Sequence, residues 1–526
     1  MTKPLRCLFL FVISILSLNL HAQWSNGQSA VNILGQPDFT TSTSGSGAAN
    51  FFSPNGVVVD PATGKIFVSE ANNNRVVRFA SSAAMTNGAA AEAVLGQPGF
   101  GTNGAAATQT GMQAPKGLAI DAAGRLWVAD PSNRRVLRFD NAATIASGSL
   151  ANGVLGQTDF TTNTSRVTSS TTILSATSVF CQGTTLWVSD QGNNRILRFD
   201  NAAAKANGAP ADGVLGQPDF TSTTYALTAT GLRLPNQLFV SADGDLWVAD
   251  QTNHRVLRYA AAATLANGSA ASQVLGQATF TTGTGAISQN QMSVVRGIYG
   301  DAGGRIYVSD AGNRVLIFDN AASLGNGANA SNVLGQSTFT SNTAGNLPAN
   351  LNGPRDLFVN GRLFVPNFTS HRLVIFTPSS TLPSRLLSFT ASLSTNGQSV
   401  KLDWTTVDEN NVAGYQIEYS DNGRTFSNTA VFQNAKGAST NYYTVNDNIR
   451  SNNVLYYRLK TVDYDGRFSY SNVVVLRKSG VEVISLYPNP ASSQLVISFP
   501  RAAKATLQFF DVSGRLVKQA ETFASS

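Results

Sequence analysis

Once residues 1–22 are set aside, two histidines remain, His254 and His371. Each stands directly before an arginine, in Asn253-His254-Arg255 and Ser370-His371-Arg372. That is too little material for a zinc site built mainly from imidazoles or for a Ser-His-Asp nucleophile set. Between residues 23 and 376 the only glutamates are Glu70 and Glu92, so paired-carboxylate acid–base chemistry is poorly supplied as well. What the chain repeats is an acid followed four or five residues later by an arginine: Glu70 and Arg75, Asp130 and Arg135, Asp190 and Arg195, Asp250 and Arg255, Asp310 and Arg314, with Asn367 and Arg372 as a sixth, acid-free copy. A ligand rarely needs six identical contacts. These pairs are therefore expected to be structural, each a carboxylate–guanidinium bridge pinning a turn. No cofactor is expected, and calcium held by Asp and carbonyl oxygens at a central channel stays open.

The elements that must carry these pairs recur in register. Val/Ile-Leu-Gly-Gln begins at Ile33, Val94, Val154, Val214, Val274 and Val333, a period of 59 to 61 residues. Between these phrases lie three further runs per repeat, such as Leu118-Ala119-Ile120, Arg125-Leu126-Trp127-Val128-Ala129-Asp130 and Arg135-Val136-Leu137-Arg138-Phe139. All are short, β-branched or aromatic, and bounded by Gly, Asn, Asp or Pro, which predicts strands. Four strands in each of six repeats predict an all-β chain headed by a six-bladed β-propeller. The first phrase precedes any complete repeat, and the last repeat stops after its third strand at Phe376. The N-terminal strand is thus expected to complete the last blade and remove two free sheet edges.

Composition bounds the rest. The 526 residues carry 37 Lys+Arg against 30 Asp+Glu, only 13% charged residues, and 46 Gly, as expected of turn-rich β-structure with an ample core. Lys3 and Arg6 followed by the apolar run Leu8–Leu18 predict a signal peptide over 1–22, too short to span a membrane. Beyond it, residues 23–376 hold 21 basic and 19 acidic residues and 377–526 hold 14 and 11. Neither part has the concentrated basic stripe of a nucleic-acid binder, and no later segment is apolar enough to span a membrane. Only Cys181 follows the signal peptide, so no intrachain disulfide is expected.

The repeats resemble the NHL family of propellers on Pro115-Lys116-Gly117-Leu118-Ala119-Ile120-Asp121, Gly124 to Asp130 and Asn133 to Phe139, six times in register over about residues 31–376. Blade 3 departs by lacking the leading proline, and blade 6 by Pro366-Asn367 in place of Ala-Asp. The resemblance implies binding of proteins, RNA or small ligands, with a few lyases in the family. Strand alternation puts the loops between second and third strands on one face with the long segments 37–53, 98–114, 158–175, 218–234, 278–294 and 337–353. Those segments differ between repeats, while the opposite face carries monotonous Asn-Ala-Ala to Asn-Gly loops. Variable loops on a rigid scaffold predict the ligand face, with Arg166, Tyr225, Arg233 and Arg296 as residues peculiar to single repeats.

Residues 377–383, rich in Pro, Ser and Thr, form a linker. Alternating strands and Trp404 over 384–477 predict a β-sandwich that resembles a fibronectin type III-like module. Residues 481–526 resemble the type IX secretion C-terminal sorting domain on Leu486-Tyr487-Pro488-Asn489-Pro490-Ala491 and Phe510-Asp511-Val512-Ser513-Gly514-Arg515. Pro488, Asn489, Pro490, Asp511 and Gly514 carry that motif. The closing strands of the family pattern, with their Gly-X-Tyr phrase and basic tail, are missing from it, so this small sandwich is read as incomplete. The resemblance implies export by the type IX machinery to the outer-membrane surface or the medium. The function expected is non-catalytic binding of a macromolecule or glycan. The alternatives are a lyase or lactonase with a central metal, and a structural adhesin that binds nothing.

Overall fold

The structure is a computed structural model. It describes residues 24–81, 85–378, 385–394, 399–407, 412–436, 440–448, 450, 452, 454–463, 468–477, 485–487, 496–498, 503–510 and 516–524. The signal peptide and the motif residues Pro488, Asn489, Pro490, Asp511 and Gly514 lie outside the described residues. The chain divides into two compact units, residues 21–379 and a unit containing 380–526.

The first unit is the six-bladed propeller. Its inner strands are Pro54–Val59, Leu118–Ile120, Ala176–Gln182, Pro235–Val240, Val295–Gly300 and Phe358–Val359. Each leads a four-stranded antiparallel sheet in simple meander order, as in blade 2, where Leu126–Asp130, Arg135–Phe139 and Gly153–Leu155 follow. Adjacent inner strands pack on one another around the ring, and blade 6 returns to blade 1. Blade 6 takes its outer strand from the beginning of the chain: Asn32–Leu34 pairs with the third strand, Ile33 opposite Val374. The edge of that last sheet is thus covered by the same molecule.

The local sequence explains the repeat. The second and third strands are almost wholly buried, and the aromatic at one position of the second strand (Phe67, Trp127, Trp187, Trp247, Tyr307, Phe364) fills the space between blades. The Gly of each Val/Ile-Leu-Gly-Gln phrase sits at φ 80–87°, where a side chain is strained, and turns the outer strand into the next long loop. The following Gln is buried and donates to two backbone carbonyls, as Gln97 does to Asn74 and Gly104.

The second unit contains a two-sheet sandwich. One sheet orders Arg385–Leu393, Ser399–Val407 and Thr440–Asn448. The other is built on Val412–Ser420 and Val454–Asp463. Trp404 stacks on Tyr443 at 5.0 Å and meets Tyr415 edge-on in its core. Two hairpins follow, Ser485–Tyr487 with Val496–Ser498 and Ala503–Phe510 with Leu516–Ala524.

Candidate functional site at the channel mouth

The inner strands run from the face that carries the long loops: in blades 1, 3, 4 and 5 the first residue pairs with the acid ending the second strand (Pro54 with Glu70, Pro235 with Asp250), and in blade 6 Pro354 bridges Asn367 ahead of the strand. Directly after that pair the register slips in blades 1, 3, 4 and 5. A bulge of this kind leaves a residue unpaired and re-aims its side chain. The residues at this position are Asn55, Thr177, Asn236 and Arg296 in the bulged blades, with Lys116 and Arg355 at the equivalent sequence position ahead of the inner strands of blades 2 and 6. Lys116, Arg296 and Arg355 lie close enough to act on one another or on Asp356 at the long-loop end of the channel. Three of the six are cations. They lie in blades 2, 5 and 6, an arc interrupted only by the Asn55 of blade 1.

The seams between blades fix this ring. Ser69 Oγ accepts from the bulged Gly56 N–H and donates to the Lys116 carbonyl of the next blade. Ser309 Oγ repeats the arrangement between Gly297 and Arg355, at 2.8 and 2.7 Å. The approach is so close that a Cβ at Gly297 would lie 2.3 Å from the Arg355 carbonyl oxygen, and one at Gly56 would lie 2.4 Å from that of Lys116. Only glycine allows the contact, so the backbone carrying two of the three cations is held rigidly.

None of the three cationic side chains has an ion-pair or hydrogen-bond partner among the described residues. Arg355 lies over the Phe368 ring at 4.3 Å, with its Nε buried and unbonded. Among the described residues one carboxyl belongs to the group, that of Asp356, which is 2% exposed and has no hydrogen bond to any of them. Burial pushes its pKa up to about 8, although Lys116 and Arg355 both pull it down. Burial lowers Lys116 and Arg296, and burial together with Arg296 brings Arg355 down to about 10. The mouth therefore gathers three basic side chains beside one carboxyl whose burial favours its protonated form. Partly desolvated charges without counter-charge are costly, and an incoming anion would relieve that cost.

Of the residues singled out from sequence, Arg296 belongs to this mouth. The other three stay in their loops. Arg166 donates to the carbonyls of Gly156 and Thr171 beside it. Arg233 lies over the Tyr225 ring at 4.4 Å, the ring itself exposed. Lys116, Arg355 and Asp356 were not among the sequence candidates. Comparing the residue that follows Pro54, Pro115, Ala176, Pro235, Val295 and Pro354 would have exposed Lys116 and Arg355, with Asp356 the next residue along.

The acid–arginine pairs are internal. Nε–O distances are 2.6 Å for Arg75–Glu70, 2.8 Å for Arg135–Asp130, 2.9 Å for Arg195–Asp190 and 2.7 Å for Arg255–Asp250; Arg314 meets Asp310 at 2.9 Å through Nη2. All of these side chains are fully buried. Burial raises the Asp130, Asp250 and Glu70 carboxyls, and the paired guanidinium opposes it. Each guanidinium also clamps the long loops on either side. Arg135 donates to Thr108 and Gly111 in the loop entering its blade and to Phe160 in the loop leaving it. The regular phenylalanine after each Gly-Gln thus matters through its carbonyl as well as its ring. In blade 6, Asn367 replaces the acid: its Nδ2 and Oδ1 and the Nε and Nη2 of Arg372 are buried without partners. Burial lowers Arg372 to about 10.

Residues 485–526 match the family described as the secretion system C-terminal sorting domain. This chain is exported to the cell surface or the extracellular space. No helix among the described residues is long and apolar enough to cross a membrane. No curated protein matches the chain. Among solved structures, a protein of unknown function from Bacteroides thetaiotaomicron shares 14% identity, with 66% of this chain and 75% of that one covered at a TM-score of 0.42. Virginiamycin B lyase from Staphylococcus aureus shares 11% over 62% and 94%, at 0.34. The extracellular domain of a putative one-component system from B. thetaiotaomicron shares 13% over 85% and 58%, at 0.37. The propeller architecture itself stands on the sheet order and ring closure described above.

Proposed function

We propose that this chain is a binding protein, exported through the type IX machinery, whose propeller takes an acidic group of a glycan or other macromolecule at the channel mouth on its long-loop face. The observation that carries this reading is the trio Lys116, Arg296 and Arg355, contributed by different blades and making no ion pair among the described residues, with the single buried carboxyl of Asp356 beside them. A basic rim attracts carboxylate, sulfate or phosphate and repels a metal ion, which favours binding over metal-dependent catalysis. The long loops around it offer the variable surface that would set selectivity. No nucleic-acid partner is proposed, since the positive charge is local to the mouth.

The test is a binding comparison on the full chain with polygalacturonate, dextran sulfate and neutral dextran. The acidic polymers should bind and neutral dextran should not. Replacing Lys116, Arg296 and Arg355 together by Gln should weaken acidic-polymer binding by about a hundredfold, near 1 kcal/mol per lost charge contact. Equal binding by the triple variant would refute the reading.

One observation favours a second reading. A buried carboxyl held near 8 next to cations is the kind of group an enzyme uses as a general acid. If the propeller is a lyase or lactonase, Asp356→Asn should abolish turnover while leaving ligand affinity in place. In a binding protein that substitution has no turnover to remove.

A further inference from the structure

The other end of the channel has a different chemistry. Counted from Pro54, Pro115, Ala176, Pro235, Val295 and Pro354, the fifth residue of each blade reads Val58, Ala119, Phe180, Phe239, Tyr299 and Phe358 around the ring. Four consecutive blades place an aromatic there and two place a small group. The rings form a continuous array, with centroids 5.3 Å apart for Phe180–Phe239, 5.0 Å for Phe239–Tyr299 and 4.9 Å for Tyr299–Phe358. Because Val58 and Ala119 do not complete the array, space is left beside them. It is a cavity of about 210 Å³ whose lining includes Ala119, Phe180, Cys181, Tyr299, Phe358 and Asn360, with no charged side chain among its residues.

Gln237 lines this cavity near the start of its inner strand. From blade 4 its Oε1 accepts the N–H groups of Ile298 and Leu357 at 2.7 and 2.8 Å, and its Nε2 donates to the Leu357 carbonyl at 2.8 Å. One side chain thus satisfies the inner edges of blades 5 and 6 and lines the cavity at that side. Pro61 and Asn360, just beyond the inner strands of blades 1 and 6, line the opposite end. The cavity therefore opens toward the face of the short turns, away from the long loops. The inner edge supplies polar groups too. Ile298 is paired with Val308 in the register that pairs Val57 with Val68, Leu118 with Val128 and Val179 with Val188. The N–H groups of Val57, Leu118 and Val179 thus point toward the channel as that of Ile298 does, on the side that no glutamine covers.

We propose that this cavity is a second binding site, for a small, planar, uncharged molecule of about two rings carrying a hydrogen-bond acceptor. The aromatic array would stack on its face, and the inner-edge amides of blades 1 to 3 and the Tyr299 hydroxyl would meet its acceptor. The size follows from volume: an apolar cavity of about 150 Å³ holds benzene, and the larger space here has room for a bicyclic ring but not for a sugar chain. The exclusion of charge follows from desolvation, because an ion entering a site without a charged partner loses its hydration uncompensated. This site does not depend on the cationic mouth.

Coumarin is a suitable probe, titrated into the full chain by calorimetry. It should bind saturably at one site per chain and slow iodoacetamide alkylation of Cys181, followed by peptide mass spectrometry. Ala119→Phe places a fifth ring in the array. It should weaken coumarin by about tenfold or more with an unfolding midpoint equal to or above that of the wild type. If that variant fails to fold, Val58→Phe serves the same purpose. Coumarin-3-carboxylate should bind about tenfold more weakly than coumarin, and the triple Gln variant of the mouth should bind coumarin normally. Absence of saturable binding, undiminished binding by the ring-adding variant, equal binding of the carboxylate, or Cys181 alkylation indifferent to coumarin would each overturn the proposal.

Discussion

Blade 6 shows what one residue does to a buried charge. Five blades neutralise a buried arginine with an acid; in the sixth, Asn367 leaves Arg372 with two unbonded nitrogens. Asn367→Asp should therefore raise stability by about 1 kcal/mol or more by completing the pair. Asp130→Asn should lower it by about 3–5 kcal/mol, because the buried Arg135 is left unpaired. Denaturant titration of both variants checks the opposite signs. Asp356 supplies a pH test. Its carboxyl is raised from 3.8 to about 8 in the folded chain, so the native state holds a proton that the unfolded state has released between those values. Its contribution to stability is complete below the unfolded pKa and is lost as pH rises toward 8, at a slope of at most about 1.4 kcal/mol per pH unit. Asp356→Asn should match the wild type near pH 4 and be the more stable of the two at pH 8. Equal stability of the two proteins at both pH values would show that this carboxyl is not held protonated.

Strands were the legible part of the sequence. The recurrence of Val/Ile-Leu-Gly-Gln predicted the outer strands, their number and the return of the chain's beginning to blade 6, because a meander that starts on its last strand has one way to cover its edges. The closing strand is also where the ring should be most vulnerable. Ile33 is fully buried against the third strand of blade 6, so Ile33→Asp should cost several kcal/mol. It should also speed hydrogen exchange over 372–376 while exchange in blade 3 is unchanged. Uniformly faster exchange in all blades would mean that the ring opens as one unit. The bulges at the start of the inner strands were not legible. A one-residue slip depends on how the Ser69 and Ser309 hydroxyls bridge neighbouring blades, and no local pattern announces that. The acid–arginine pairs stood out by repetition alone, but their grip on the loop carbonyls required the fold.

At the scale of the whole molecule the charge balance misleads. The propeller's 21 basic and 19 acidic residues nearly cancel, yet three cations meet at one end of the channel while the cavity at the other is lined by no charged side chain. Variability between repeats pointed to the long-loop face but weighted loop tips such as Tyr225 and Arg233 above the inner strands. Arg296 alone among the four candidates reached the axis, because the axis is lined by strand edges rather than by loops. Binding at the mouth should weaken as salt rises from 0.05 to 0.5 M, since screening acts on its half-exposed charges at about 10 Å or less. The most direct measurement is the hydrogen-exchange footprint of dextran sulfate on the full chain. Protection is predicted at the starts of the inner strands around Lys116, Arg296 and Arg355, on the long-loop face. A footprint confined to the short-turn face, or to the loops around Arg166 and Tyr225 with those strand starts unchanged, would contradict a cationic binding mouth.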